Sequence, residues 1–452
     1  MSNDSQSRRR FLKTAVGASA ALAIAGTVRG EEAAAGPVAV GLTSKPISTI
    51  RAAIIGVGDR GSNHLEQLLT LDGVEITAIA DKHEPTLCRA LAQVKKAGRK
   101  EPAAFGRGEE DYKRMLHRDD VDIVIIATPW ELHTPMAVDT LLAGKHAFIE
   151  IPAAITVDEC WQLVETAEKT QKHCMMLENC CYGREELFCL NLCRQGLLGE
   201  LLHAETAYIH DLRWQMENVE VGTGSWRTLH YAKRNGNLYP THGIGPVSQY
   251  MGINRGDRFD YLSAVSSPAR GRKAHAAAKY PPDHKWNRIP NWACGDMNTT
   301  IIKTALGRSI MVQWDETSPR PYSRLNLIQG TRGTFAGYPS RLAIEGVTPD
   351  THKWVEGEKL EEYFKKYQHP MWNSELAKKR GDHGAMDWLM HWRIACCLRS
   401  GQPLDQDVYD AAAWSAIGPL SERSIANRSQ SVDVPDFTRG RWKTTKPLGI
   451  VG

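Results

Sequence analysis

The stretch at residues 50–69, "IRAAIIGVGDRGSNHLEQLL", reads as an apolar strand, a glycine turn and the start of a helix. The turn has the spacing Gly56-x-Gly58-x-x-Gly61. Gly56 permits the tight turn, Gly58 lets the backbone approach a pyrophosphate, and Gly61 lets the new helix lie against the strand. Asp59 and Arg60 stand where the helix N-terminus presents free N–H groups to phosphates. Such a glycine pattern is weak evidence alone, and its context decides.

That context is a series of strands alternating with helices. "VEITAIAD" at residues 74–81 ends in Asp81, about 25 positions past the first glycine. A carboxylate there accepts the ribose hydroxyls of NAD and disfavours NADP; the competing reading is a helix N-cap or loop acid. "VDIVIIATP" (121–129) and "HAFIEIP" (146–152) are two further buried-strand patterns. Between them, "WELHTPMAVDTLLAGK" reads as a loop followed by an amphipathic helix stopping at Gly144. Short connections and strict alternation predict a parallel, doubly wound sheet. Asp81, residues 128–133 and Glu150 all fall at the carboxyl ends of its strands, where such sheets bind ligands.

Downstream the pattern changes. A helix at 157–172 leads to "CMMLENCC", read as one more strand, and to a helix at 183–199 closed by glycine. From Leu201 long β-rich segments follow without intervening helices, among them a hairpin pattern flanking "LGR" at 306–308. This predicts an open, mostly antiparallel sheet, with two C-terminal helices (386–399 and 408–427) packing back on the body. The fold class is α/β. It comprises a signal segment (1–35), a linker (36–48), a Rossmann dinucleotide-binding domain (49–178) and an α+β substrate domain (179–452).

The N-terminus carries "SRRRFLK" before a short Ala/Gly-rich apolar run and the small residues Ala33–Ala35. Arg8 and Arg9 with Phe11, Leu12 and Lys13 match a twin-arginine export address. This implies the twin-arginine machinery as a partner and a periplasmic destination; the plainer alternative is a basic cytosolic tail. The apolar run is too short to span a membrane well, and no later segment could. The whole chain has 56 Lys+Arg against 52 Asp+Glu. Removing the five basic and three acidic residues of 1–35 leaves 51 against 49, with no basic stripe, so nothing points to nucleic acid. The ten cysteines include the adjacent pairs Cys180–Cys181 and Cys396–Cys397, and Cys189 and Cys193 four apart on a helix. They read as buried free thiols; Cys180, Cys189 and Cys193 match no standard zinc spacing, and no cluster calls for a metal.

"GNLYPTHGIGPVSQYMGI" at 236–253 places Tyr239 and His242 where a loop turns into a helix, with Thr241 as its expected N-cap. Tyr182, Tyr208, Arg227, Tyr322 and His383 are further polar or aromatic candidates, each of which could equally be a packing or structural residue.

The glycine turn and "ATPWELHTPMAVDTLLAGKHAFIEIP", followed by the open sheet, resemble the glucose–fructose oxidoreductase-like group of sugar dehydrogenases. "IEIPAA", "LENCCYGREEL", "WRTLHYAKRNGNLYPTHGIGPVSQYMGINRGDRFDYL" and "HGAMDWLM" narrow the resemblance to the NAD-dependent glycosidases of glycoside hydrolase family 109, known as α-N-acetylgalactosaminidases. The resemblance implies NAD contacts at Gly56, Gly58, Asp59, Arg60, Gly61, Asp81, Trp130, Glu131, Leu132, His133, Glu150, Ile151 and Asn179. It implies sugar contacts at Tyr208, Arg227, Tyr239, Pro240, Thr241, His242 and Tyr322, and it places Tyr182 near the reacting carbons.

Related dehydrogenases carry a lysine after the Glu of "IEIP" as the acid/base at the alcohol; here that position is Ile151, as in family 109. The implied reaction is hydrolysis through transient oxidation at C3, deprotonation at C2, elimination at C1 and water addition, with no net redox. Tyr182 is then the expected C2 base, with a lowered pKa, while Tyr239 or His242 handles the proton at O3 and the other orients the sugar. A glycan or small molecule ending in an N-acetylgalactosamine-like sugar is the expected substrate. The rivals are an exported NAD(P)-dependent sugar oxidoreductase and a non-catalytic sugar-binding protein. The Ile151–Pro152 bond is expected to be cis, and an open sheet face or edge could support a homo-oligomer.

Overall fold

The computed structural model describes residues 37–373 and 382–451, so the export signal read at 1–35 lies outside the described residues. Six strands form the first sheet: β1 (Ile50–Ile55), β2 (Val74–Ala80), β3 (Ala103–Phe105), β4 (Ile123–Ile126), β5 (His146–Ile149) and β6 (Cys174–Met176). Their order is β3-β2-β1-β4-β5-β6 and every pair is parallel. The chain winds outward in both directions from the β1/β4 boundary, and a crevice opens there at the carboxyl ends of the strands. Ile54 sits between Ile79 and Ile125 in register. β-Branched residues fill these strands because both faces are covered by helices.

The second sheet has nine strands: β7 (Leu201–Ile209), β8 (Phe259–Ser266), β9 (Asn298–Thr304), β10 (Ser309–Asp315), β11 (Leu327–Gly330), β12 (Gly333–Ala336), β13 (Arg341–Ile344), β14 (Val355–Glu356) and β15 (Val432–Asp433). Their order is β14-β13-β12-β11-β7-β10-β9-β8-β15. Only β7 and β10 run parallel; the other pairs are antiparallel. One face buries Ile302, Ile310, Val312 and Trp314. The other leaves Tyr261, Val265 and Ile301 exposed.

Two C-terminal helices lock the halves together. Asp382–Ser400 packs on the helix Asp59–Leu69 and on the turn Asn179–Tyr182; Val408–Ala426 packs on Val157–Thr170 and on β8. Among the described residues no helix is long and apolar enough to cross a membrane. All ten cysteines are free, and seven of them are buried.

Four local expectations need correction. The β-rich half is not free of helices: Thr223–Lys233, Thr241–Met251 and Gly271–Lys279 stand between its strands. The helix after β4 begins at Trp130 itself and carries Pro135 within it, so the connecting loop is only residues 127–129. Burial of Trp130, His133, Ala137 and Leu141 holds that helix in spite of the donor the proline lacks. "CMMLENCC" is strand only over Cys174–Met176. The Glu178 carboxylate then accepts the Cys180 N–H at 3.0 Å and turns the chain into the 3₁₀ helix Asn179–Tyr182. Thr241 is the first residue of the helix Thr241–Met251 rather than its N-cap, which is Pro240, and its buried hydroxyl has no partner among the described residues.

Candidate active site

The glycine turn fits a dinucleotide. Gly56 has φ +81°, and a Cβ there would lie 2.7 Å from the Ala127 carbonyl oxygen. A Cβ on Gly61 would lie 1.9 Å from the Gly56 oxygen, so the helix can approach β1 only with glycine. A Cβ on Gly58 would meet nothing within 4 Å; it would stand in the space a pyrophosphate needs. Asp81 accepts the N–H groups of Val57 (2.9 Å) and His83 (2.8 Å), which fixes its carboxylate beside the turn. Asp59 accepts the hydroxyl of Thr223 at 2.9 Å.

The remaining cofactor-side candidates gather after β4, β5 and β6. Trp130 is buried, and its ring stacks on Tyr239 at 5.8 Å. Glu131 pairs with His230 at 3.2 Å, and Leu132 is half-buried in the same turn. His133 bridges the carbonyls of Thr128 and Pro152, so it braces the loop after β5. The Ile151–Pro152 bond is cis. Ile151 is buried and its N–H donates to Glu150 Oε2.

Arg60 and Glu150 belong to a larger buried network. Arg60 Nε donates to Glu150 Oε1 at 2.8 Å, and its two terminal nitrogens donate to Asp387 at 3.0 and 3.1 Å. Asn179 Nδ2 donates to the same Asp387 at 2.9 Å, leaving its buried Oδ1 without a partner among the described residues, an acceptor suited to an amide. His64 joins Glu150 to His391, at 2.8 Å on each side. Burial pushes the Glu150 carboxyl up, but Arg60 and His64 outweigh it and hold the group well below the usual carboxylate range. Burial drives His391 down to about 3, with His64 adding to the shift, so it is neutral.

Beside this edge lies a cavity of about 570 Å³, within the range of small-ligand sites. Its wall includes Cys180, Glu186, Tyr208, His210, His242, Tyr322, Arg324, Tyr338 and Met386. Aromatic rings run continuously from the dinucleotide edge to this wall. Trp130 stacks on Tyr239, Tyr239 lies 5.1 Å from Tyr208, and Tyr208 lies 5.0 Å from His242 and 6.0 Å from Tyr322. Burial raises the phenols of Tyr208, Tyr239 and Tyr322 above the usual tyrosine value, so at rest they are protonated and can donate hydrogen bonds. Arg324 donates to the Tyr322 hydroxyl (2.6 Å) and to Glu186 (2.5 Å), which orients that side of the wall.

His242 is the wall residue with a buried carboxylate behind it. Its Nδ1 lies 2.8 Å from Glu178 Oε1, and Glu178 is fully buried at the end of the β6 segment. The carboxylate fixes the imidazole through Nδ1 and leaves Nε2 without a role in this contact. Cys180 Sγ lies 3.2 Å from the same Nδ1.

The structure divides the sugar-side candidates. Tyr208, His242 and Tyr322 line the cavity; Arg227, Tyr239, Pro240 and Thr241 stand behind it. Arg227 is stacked 4.0 Å from the Tyr239 ring and 5.0 Å from Trp130, and it faces Glu316 at 3.5 Å. It braces the aromatic row, and its buried Nε and one terminal nitrogen have no hydrogen-bond partner among the described residues. Tyr182 is contradicted as the C2 base: its side chain is fully buried and its hydroxyl donates to Asp405 at 3.3 Å. Burial and the Asp405 charge raise its phenol well above the usual value, opposite to what a base needs. The side chain of His383 lies outside the described residues. Glu178, His64, Asp387 and His391 escaped the sequence reading. The position of Glu178 just past a parallel strand was the one local signal for it, and the i, i+4 spacing of Asp387 and His391 on one helix was the signal for those two.

Comparison with known proteins agrees with both halves. Residues 50–178 match the model of the oxidoreductase family with an NAD-binding Rossmann fold, and residues 182–444 match that of the glycosyl hydrolase 109 C-terminal domain. The chain is 56% identical to a glycosyl hydrolase family 109 protein of Shewanella pealeana and 54% identical to an alpha-N-acetylgalactosaminidase of Shewanella oneidensis. Each alignment covers 98% of this chain and 99% of the relative. Among solved structures, levoglucosan dehydrogenase in complex with NADH superposes with a TM-score of 0.65 at 18% identity, covering 86% of this chain and all of that one. An oxidoreductase domain protein from Kribbella flavida gives a TM-score of 0.64 at 16% identity, with the same coverage. At those identities the likeness is one of fold.

Proposed function

The chain belongs to glycosyl hydrolase family 109, and from that premise we propose that it hydrolyses terminal α-N-acetylgalactosaminides by NAD-dependent chemistry with no net redox. The carrying observation is the Glu178–His242 pair on the wall of a sugar-sized cavity that adjoins the dinucleotide edge. Bound NAD would supply reversible hydride acceptance from C3, and the resulting carbonyl would acidify the C2 hydrogen. Gly58, Asp81, Arg60, Glu150 and Asn179 are the residues that would hold it.

The chain's own side chains must then carry the O3 proton away as C3 is oxidised and bring it back on reduction, move a second proton at C2, and orient the ring. His242, fixed through Nδ1, accepts the C2 proton at Nε2 and returns it after water adds at C1. Tyr208 and Tyr322 remain protonated and donate hydrogen bonds to sugar oxygens. Tyr239, stacked on Trp130 and Arg227, joins the dinucleotide edge to Tyr208 on the cavity wall and is the phenol assigned to relay the O3 proton. Ile151 offers no proton and packs as part of the floor.

The test is an aryl α-N-acetylgalactosaminide supplied without added NAD. Phenol release, deuterium at C2 of sugar formed in heavy water, and no accumulation of NADH are expected. Accumulating NADH would make the protein a sugar oxidoreductase; cleavage without C2 exchange would remove the mechanism. The β anomer and a galactoside lacking the N-acetyl group test the substrate assignment. The segment 1–35 supports twin-arginine export of the folded protein to the periplasm. The exposed Tyr261, Val265 and Ile301 support self-association through the open sheet face. Fractionation of expressing cells and sedimentation of the purified protein check these two points.

A further inference from the structure

We propose that Glu178, Cys180 and His242 form a Zn²⁺ site on the cavity wall, and that its occupancy switches the acid/base pair off. One ligand atom from each residue, an oxygen, a sulfur and a nitrogen, lies within 4.8 Å of the others. The specific contacts are 2.8 Å from His242 Nδ1 to Glu178 Oε1 and 3.2 Å from the same Nδ1 to Cys180 Sγ. Zinc bonds of about 2.0–2.3 Å to N, O and S place tetrahedral donors roughly 3–4 Å apart, so small side-chain shifts complete the set. A second observation points the same way. Glu178 is fully buried, and its Oε2 has no hydrogen-bond partner among the described residues. That is an acceptor kept from water with a lone pair to spare.

The ligand types select the ion. One thiolate, one imidazole and one carboxylate suit Zn²⁺ far better than Mg²⁺ or Ca²⁺, which want oxygen throughout. Three protein ligands leave a fourth position, and Cys180 and His242 both face the cavity, so that position opens toward the sugar. The backbone supports the arrangement. Glu178 and Cys180 are held two residues apart by the turn the Glu178 carboxylate caps, and His242 comes from the first turn of the helix Thr241–Met251.

Binding costs the thiol its proton, which leaves to solvent. The metal takes the lone pair of Nδ1, so the imidazole proton moves to Nε2. Nε2 then carries a hydrogen and no free pair, and cannot accept the C2 proton. The inhibition therefore rests on the role proposed for His242; the binding does not.

The experiment titrates the full chain with Co²⁺ as a spectroscopic substitute and with Zn²⁺ in the glycosidase assay. Expected are one retained metal per chain, a near-ultraviolet thiolate-to-cobalt band, loss of activity on loading with Zn²⁺, and recovery with a chelator. Cys180→Ser should abolish the band, and His242→Ala should weaken metal binding at least tenfold; melting curves and NAD binding report that both variants are folded. No band in the parent chain, or one that survives Cys180→Ser, overturns the site. A band that behaves as expected while the loaded enzyme keeps full activity overturns the switch, and places the fault in the role given to His242.

Discussion

Glu178→Gln isolates the charge behind His242. The side chain is fully buried and glutamine matches it in shape, so packing is retained. The amide oxygen can still accept the Cys180 N–H that turns the chain at 3.0 Å, and can still accept from His242 Nδ1 at 2.8 Å. What disappears is the negative charge facing an imidazolium as His242 takes the C2 proton. Two unit charges about 4 Å apart attract by roughly 4 kcal/mol at an effective dielectric constant of about 20. At about 1.4 kcal/mol per tenfold change, that predicts a fall in kcat of about 10²–10³, within the range of general acid–base catalysis. KM should change little, because the ground-state sugar does not see the charge. The assay is steady-state release of phenol from the aryl glycoside, paired with C2 deuterium incorporation; both should fall together. A variant that binds NAD and retains kcat within a factor of about three would refute the pair as the acid/base unit.

Tyr182→Phe loses one hydrogen bond to Asp405 and should cost about 1 kcal/mol of stability while leaving C2 exchange intact; abolished exchange would return the base role to the phenol. Gly58→Ala and Gly61→Ala should separate binding from folding. The first puts its Cβ into open space, so Tm holds and NAD affinity falls at least about tenfold; the second drives its Cβ into the Gly56 carbonyl and lowers Tm. Cofactor fluorescence titration with melting curves checks both. The depressed pKa of Glu150 means its ion pair stabilises the fold fully above the unfolded carboxylate value of about 4.3, and that this is lost as pH falls toward the folded value. Glu150→Gln should therefore lower Tm at neutral pH and flatten its decline between roughly pH 5 and 3; an unchanged acid limb would remove the network from the stability of the fold.

The parallel sheet was legible because its strands are buried on both faces and read as apolar runs, and because Gly56 and Gly61 in the turn after β1 have no room for a side chain. The antiparallel sheet was legible from β-rich segments and the "LGR" hairpin that joins β9 and β10. The active site was legible only as an edge. Residues at the carboxyl ends of strands could be named, but the direction of a side chain could not. Tyr182 and Cys180 lie two positions apart in one turn, yet the first points into the core toward Asp405 and the second lines the cavity. Contacts between distant segments were equally hidden: Arg60 meets Asp387 across 327 positions, and no local pattern announces such a pair.

That long-range pair explains why Ile151 is tolerable next to Glu150. Glu150 Oε1 already accepts from Arg60 and from His64, and its Oε2 accepts the Ile151 N–H, so the carboxylate is compensated without a lysine. Arg60 is in turn tied by two hydrogen bonds to Asp387 on the C-terminal helix. The Glu150 carboxylate at the dinucleotide edge is thus fully compensated by its neighbours. The proposed C2 proton transfer is assigned to the opposite wall. There the turn after β6 supplies a buried carboxylate, and the helix Thr241–Met251 supplies an imidazole within its reach. A lysine at position 151 would place a second base on the floor without removing the first. If the division of labour is right, it would leave C2 exchange dependent on His242.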